Sequence, residues 1–300
     1  MNLFTLIFKN LDNKNYFYFI ILFIILFIFG LFFSISNAYK NGYKDPEIEL
    51  LNYQLEKLDD LDLEVIFLGD SSLGNFIDAK TWSDLSGKNT ANLALTGKFQ
   101  YKGNFAMLKK IIEKNDKVKI NIVSTTMNWS YSEKNLFNTV YYNNNPIIKN
   151  YYLTLFNLNR VSIKKIINFY LNKKIGYNSY IYNDYVLQGE IINDENLDTS
   201  FTQSIVDEKK LKSLIKLKRF CEEKNLDCKL FHGPITKKIC DLKKFNEYMK
   251  NLNNFLNKNN LIFEKELICF DQRHIGDSED HINLKYKKSY TKIFYDLIFN

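Results

Sequence analysis

The stretch Val65-Ile66-Phe67-Leu68-Gly69-Asp70-Ser71-Ser72-Leu73-Gly74-Asn75 reads as a strand, a sharp turn and the start of a helix. The apolar run 63–68 is short and bounded by Gly69, the pattern of a strand covered on both faces. Gly69 lets the backbone turn tightly, so that Ser71 emerges at a sheet edge. A helix beginning near Ser72 aims unpaired N–H groups at this turn, where they favour negative charge. Taken alone, Gly-Asp-Ser fits an N-capped turn as well as it fits a nucleophile.

Working outward, further buried strands are expected at 89–95, 117–124, 227–231 and 266–270. Apolar residues at helical spacing predict helices over 48–61, 79–85, 105–113, 208–224, 243–257 and 284–298. Strands alternating with helices imply a parallel sheet with helices on both faces. The expected fold class is α/β: a flavodoxin-like three-layer α/β/α sandwich with a parallel sheet of about five strands. Sites in such sheets collect at the carboxyl ends of the strands. The Tyr- and Asn-rich stretch 130–205 breaks the alternation, with one helix expected around 162–172. It is too long for an ordinary loop and is expected to be an inserted cap.

The segment 16–35, YFYFIILFIILFIFGLFFSI, carries no charge, and Gly30 is its only break. About twenty apolar residues match one helical crossing of a bilayer. The run is longer than the apolar region of a signal peptide, although Ser36-Asn37-Ala38 would suit a cleavage site. Tyr16 and Tyr18 at one end, with Ser34 and Ser36 at the other, fit interface anchors. Lysines flank both sides (Lys9 and Lys14, then Lys40 and Lys44), so orientation rests on one span preceding one large domain. The expected organisation is a cytoplasmic N-terminus at 1–15, a transmembrane anchor at 16–38, a linker and helix at 39–62, and one domain at 63–300. The expected location is the inner (cytoplasmic) membrane of a bacterium, with the domain on the outer face.

Hydrophobic residues make up 46 % of the 300-residue chain, enough for a sizeable core. The formal charge of +7 comes from lysines scattered through the expected helices, a pattern that solvated helix faces explain. It also suits an acidic polymer or an anionic membrane surface. No zinc finger, recognition helix or aromatic RNA-binding motif is present, which argues against a nucleic-acid partner. Cys221, Cys228, Cys240 and Cys269 fit no tight metal-ligand spacing, and no metal or cofactor is expected. In an exported domain they permit up to two disulfides in three full pairings, and buried free thiols fit equally well.

The segment 65–75 resembles block I of the SGNH (GDSL-type) hydrolase superfamily, whose members draw Ser, Gly, Asn and His from four separate blocks. Asn92-Leu93-Ala94-Leu95-Thr96-Gly97 is similar to block II, which implies that the Gly97 N–H donates to an oxyanion. Ser124-Thr125-Thr126-Met127-Asn128 follows the third strand where block III lies. Asn128 is then the side-chain oxyanion donor, although Thr126 and Trp129 replace the usual flanking Gly and Asp. The last block normally reads Asp-x-x-His. Here His281 stands in Gly276-Asp277-Ser278-Glu279-Asp280-His281, after the fifth strand and before the final helix. Ser278 occupies the usual Asp position, so Asp277 is preferred as the group orienting the imidazole, with Asp280 the alternative. His232 and His274 compete for the role of base. His232 ends the fourth strand and, with Asp70, is also expected to touch substrate.

This resemblance covers most of 63–130 and 265–300. It implies that Ser71 forms an acyl-enzyme with His281 as base. A single-span, outward-facing protein of this kind is expected to act as an esterase or O-acyltransferase on O-acyl groups, acetyl foremost, of a cell-surface polysaccharide. Its partners would be an acylated glycan or small ester, the membrane, and other envelope-biosynthesis proteins. A catalytically inactive binding or assembly protein on the same fold is the alternative.

Overall fold

The computed structural model describes residues 13–41, 46–60, 62–97, 99–125, 167, 170–171, 208–264, 267–276 and 278–299. They divide into two compact units, 1–44 with 145–175, and 45–144 with 176–300.

In the first unit, helix α1 runs over Asn13–Lys40, 28 residues. Its large apolar side chains from Tyr16 to Phe29 are all exposed. The Tyr170 hydroxyl donates to the Ser34 carbonyl at 2.7 Å. Of the insertion expected at 130–205, only Ile167, Tyr170 and Leu171 are described, and Ile167 and Tyr170 are helical. Among the described residues no helix is long and apolar enough to cross a membrane.

The second unit is the α/β domain. It opens with α2 (Pro46–Glu56) and a 3₁₀ turn at Lys57–Asp59, followed by β1 (Val65–Gly69). Next come α3 (Ser71–Phe76), α4 (Ala79–Ser86), β2 (Thr90–Asn92), α5 (Gln100–Lys114) and β3 (Ile120–Thr125). After the undescribed stretch follow α6 (Glu208–Glu223), β4 (Asp227–His232), β5 (Ile235–Thr236) and α7 (Lys237–Cys240). The chain closes with α8 (Lys243–Lys258), β6 (Cys269–Phe270) and α9 (Leu284–Phe299).

β2, β1, β3 and β4 form a parallel sheet in that order. Every residue of β1 and β3 is buried, as expected of strands covered on both faces. One face packs on aromatic side chains from α3, α4 and α9. Phe67 meets Trp82 edge-on at 4.7 Å, and Phe294 contacts Phe76 at 4.9 Å and Phe231 at 4.8 Å. Such pairs contribute about 0.5–1.5 kcal/mol each beyond area burial. The abundant Phe and Tyr are thus structural cement on this side. The β2 edge is shielded by side chains ahead of β1: Gln54 donates to Ala94 O at 2.7 Å and Lys57 to Asn92 O at 3.0 Å. That capping answers the edge-strand hazard.

The expected fifth strand does not join this sheet. Gly233 donates to Thr125 O at 2.7 Å and prolongs the ladder by one residue. Pro234 then removes the next donor. The chain resumes as β5, which pairs in parallel with β6 in a separate two-stranded sheet.

Both disulfides that the four cysteines allow are formed, Cys221–Cys228 and Cys240–Cys269. The first joins the end of α6 to β4, and the second joins α7 to β6.

Candidate active site at the end of the first strand

The sheet order reverses at β1: the chain goes one way to β2 and returns past β1 to β3. In open parallel sheets the crevice at such a reversal, at the carboxyl ends of the strands, is where ligands bind. Ser71 follows β1 at that point.

The turn that presents Ser71 is built from its neighbours. The Asp70 carboxylate accepts from Ser72 N at 3.0 Å and from Ser72 Oγ at 2.6 Å, so Asp70 caps α3. Ser72 is fully buried, while Ser71 is half-buried. Gly69 and Gly233 make the close packing possible. A Cβ at Gly69 would lie 1.9 Å from Ser124 O, and one at Gly233 would lie 2.4 Å from Ser72 Oγ. The two serines therefore have distinct environments: Ser72 locks the turn from inside, and Ser71 is the one delivered to the edge. Asn75 donates to Ser71 O at 2.9 Å and holds the first helical turn.

Gly97 reaches the same edge along β2. Leu93 N donates to Phe67 O and Leu95 N to Gly69 O, extending the β1–β2 ladder past the strand ends. Gly97 comes two residues later, with open space where a Cβ would stand. Among the described residues, neither the Ser71 N–H nor the Gly97 N–H makes a hydrogen bond. Asn92, from the same block, faces inward and donates to Ile77 O at 2.8 Å, which ties β2 to the end of α3.

His281 is buried on a short antiparallel hairpin. Ile275 bridges Ile282, Gly276 N donates to His281 O at 2.7 Å, and Asn283 N donates to His274 O at 2.8 Å. One further bond fixes this hairpin in the domain. Thr236 N donates to Glu279 O at 2.9 Å, linking it to β5. Thr291, two turns into α9, accepts from Asp78 N at 2.9 Å, and its hydroxyl lies 2.9 Å from Lys287 O and 3.2 Å from Phe76 O, linking α9 to the end of α3. The nucleophile helix is thus tied to α9, the helix that follows the histidine hairpin in the chain. Asp280 Oδ1 lies 3.6 Å from His281 Nε2 and accepts from Ser278 Oγ at 2.6 Å. Asp280 therefore stands by the nitrogen that a triad would turn toward serine. Asp277 and Asn128 lie outside the described residues.

His232 turns to the opposite face of the sheet. It is buried, stacked on Phe263 at 4.6 Å, with Nε2 3.0 Å from Asn253 Oδ1. Desolvation lowers its pKa to about 4, and the Asn253 hydrogen bond opposes this only in part. The neutral ring is a packing element between β4 and α8. His274 is also engaged: its ring lies 3.7 Å from Tyr286, and Nδ1 is 2.9 Å from the Tyr290 hydroxyl. Beside it, a hydrogen bond from Arg273 holds the Asp271 carboxyl well below the usual range. Among the described residues, no three His, Cys, Asp or Glu side chains gather closely enough to hold a metal ion.

Two residues at the edge escape a motif-based reading. Thr96 Oγ1, next to Gly97, and Ser124 Oγ, opposite Gly69, are buried without a hydrogen-bond partner. Both lie within the segments 92–97 and 124–128 quoted above, but the resemblance gives neither of them a role. A scan of protein-family models found no match to this chain, and a comparison with curated proteins found no relative.

Proposed function

We propose that this chain is a membrane-anchored serine esterase or O-acyltransferase of the SGNH (GDSL-type) superfamily. Its substrates would be O-acyl groups, acetyl foremost, on a cell-surface polysaccharide. The observation that carries this reading is the edge between β1 and β2. There the Ser71 hydroxyl is set apart from the locked Ser72, and the Ser71 and Gly97 N–H groups are both unengaged.

In this mechanism His281 takes the proton from Ser71 Oγ as the oxygen attacks the ester carbonyl. The N–H groups of Ser71 and Gly97, with the Asn128 amide, hold the oxyanion. The C–O bond to the alcohol breaks, and His281 returns the proton to the leaving alkoxide. Water then releases the acyl group, or a sugar hydroxyl accepts it. Asp277 steadies the imidazolium, and Asp280 must swing away from Nε2. Losing one oxyanion donor costs about 10²–10³-fold in turnover in comparable sites. The α1 segment serves as a single membrane span. Its sequence of apolar residues and its exposed side chains support that role, as does a pair of disulfides suited to an oxidising compartment.

A second reading, a non-catalytic envelope protein on the same fold, is favoured by Asp280 Oδ1 lying 3.6 Å from His281 Nε2. The two readings separate on the full chain in detergent. The enzyme reading expects fluorophosphonate labelling and p-nitrophenyl acetate hydrolysis that Ser71→Ala abolishes. Equal activity in wild type and variant, or none in either, overturns it.

A further inference from the structure

Charge is unevenly placed in this chain. Helices α5 and α6 together hold ten Lys and Arg against four Glu. The remainder of the chain has 31 basic and 30 acidic residues, so the formal +7 resides almost wholly in this one layer. The two helices lie side by side, with Phe105 meeting Phe220 edge-on at 5.6 Å. On α6, Lys212, Lys216 and Arg219 are exposed at the i, i+4, i+7 spacing of a single stripe. On α5, Lys102 is exposed and Lys109 half-buried. Among the described residues, none of these five forms an ion pair. Two other lysines of these helices are paired, Lys114 with Asp59 and Lys218 with Glu222, as are Lys80 with Asp84, Lys117 with Asp62 and Lys237 with Asp241 elsewhere. Like charges one turn apart on a helix repel, so the stripe is mildly unfavourable to the helix that carries it.

The stripe also has a direction. Both helices precede a strand of a parallel sheet, so their N-terminal ends lie at the carboxyl ends of the strands. Lys102 and Lys212 therefore mark the edge that carries Ser71 and Gly97, and Lys109, Lys216 and Arg219 lead away from it.

We propose that the α5–α6 face is a docking track for an acidic polysaccharide, one bearing carboxylates at intervals along the chain. It would hold the polymer while an esterified residue sits at Ser71, a last step that rests on the nucleophile reading above. The partner is a glycan rather than a membrane surface because, among the described residues, neither helix exposes a large apolar side chain that could insert among lipids. The disulfides argue for a compartment without nucleic acid.

The test uses the full chain in neutral detergent, with labelled polygalacturonate, neutral dextran and phosphatidylglycerol vesicles as probes. Wild type is expected to bind polygalacturonate and ignore dextran. The Lys212→Glu/Lys216→Glu/Arg219→Glu variant is expected to bind at least about tenfold more weakly, with p-nitrophenyl acetate turnover unchanged. Circular dichroism and the melting temperature verify that the variant is folded. Equal binding by the variant, absence of binding by wild type, or preference for the vesicles overturns the track. Binding lost in the variant, with no ester hydrolysis by either protein, upholds the track and sinks the enzyme reading alone.

Discussion

Ser71 and Ser72 are adjacent and chemically identical, yet their surroundings assign them different work. Ser72 Oγ donates to the buried Asp70 carboxylate at 2.6 Å, so Ser72→Ala removes a charge-assisted bond inside the core. The expected loss is about 1.5–3 kcal/mol of stability by urea unfolding, with fluorophosphonate labelling at Ser71 retained. A variant that unfolds like wild type, or that loses labelling while folded, contradicts this division. His232 yields a pH prediction. Its folded pKa of about 4 lies below the ordinary value of 6.5, so the unfolded chain binds its proton first as pH falls. The stability tied to the neutral ring is complete above pH 6.5 and is lost as pH falls toward 4, by up to about 3 kcal/mol. In His232→Gln that part of the pH dependence should flatten, which urea titrations across the window would measure. The Gly-Asp-Ser motif was legible in the sequence. The inward turn of Ser72, and of His232 toward Asn253, was not, because both depend on contacts between residues far apart in the chain.

Among the elements, the helices came through closely. The expected spans 79–85, 208–224 and 284–298 correspond to Ala79–Ser86, Glu208–Glu223 and Leu284–Phe299. Amphipathic spacing is a local property, and caps such as Asp78, which accepts from Thr81 N at 2.7 Å, fix the boundaries. The strand at 266–270 was harder: among the described residues Cys269–Phe270 pair with β5 rather than β4. Pro234, which has no N–H to donate, falls between β4 and β5, and its effect on a ladder shows only once the partner strand is known. The two disulfides differ in reach, closing sequence separations of 29 for Cys240–Cys269 and 7 for Cys221–Cys228. Loop-closure entropy assigns about 3.6 and about 2.4 kcal/mol to them respectively. Cys240→Ala/Cys269→Ala should therefore lower the urea midpoint more than Cys221→Ala/Cys228→Ala. The reverse order would show that native-state packing, rather than loop closure, governs their contribution.

At the scale of the whole molecule, the chain divides into an N-terminal helix with an exposed apolar surface and an α/β domain with its own core. If α1 spans a bilayer, the full chain should stay with membranes through an alkaline carbonate wash. A chain starting at Asp45 should be soluble and retain the melting transition of the domain. Release of the full chain by the wash would refute the span. The α/β class, the helix positions, the apolar N-terminal run and the candidate serine were determined by sequence alone, because each rests on periodicity or composition within a short window. The tertiary structure decided the reversal of strand order at β1 and the pairing of the four cysteines. It also tied Ser72 to Asp70 in the core, and it gathered unpaired cations from two helices onto one face. These depend on which distant segments become neighbours, and hydrophobic burial sets that over the whole domain at once.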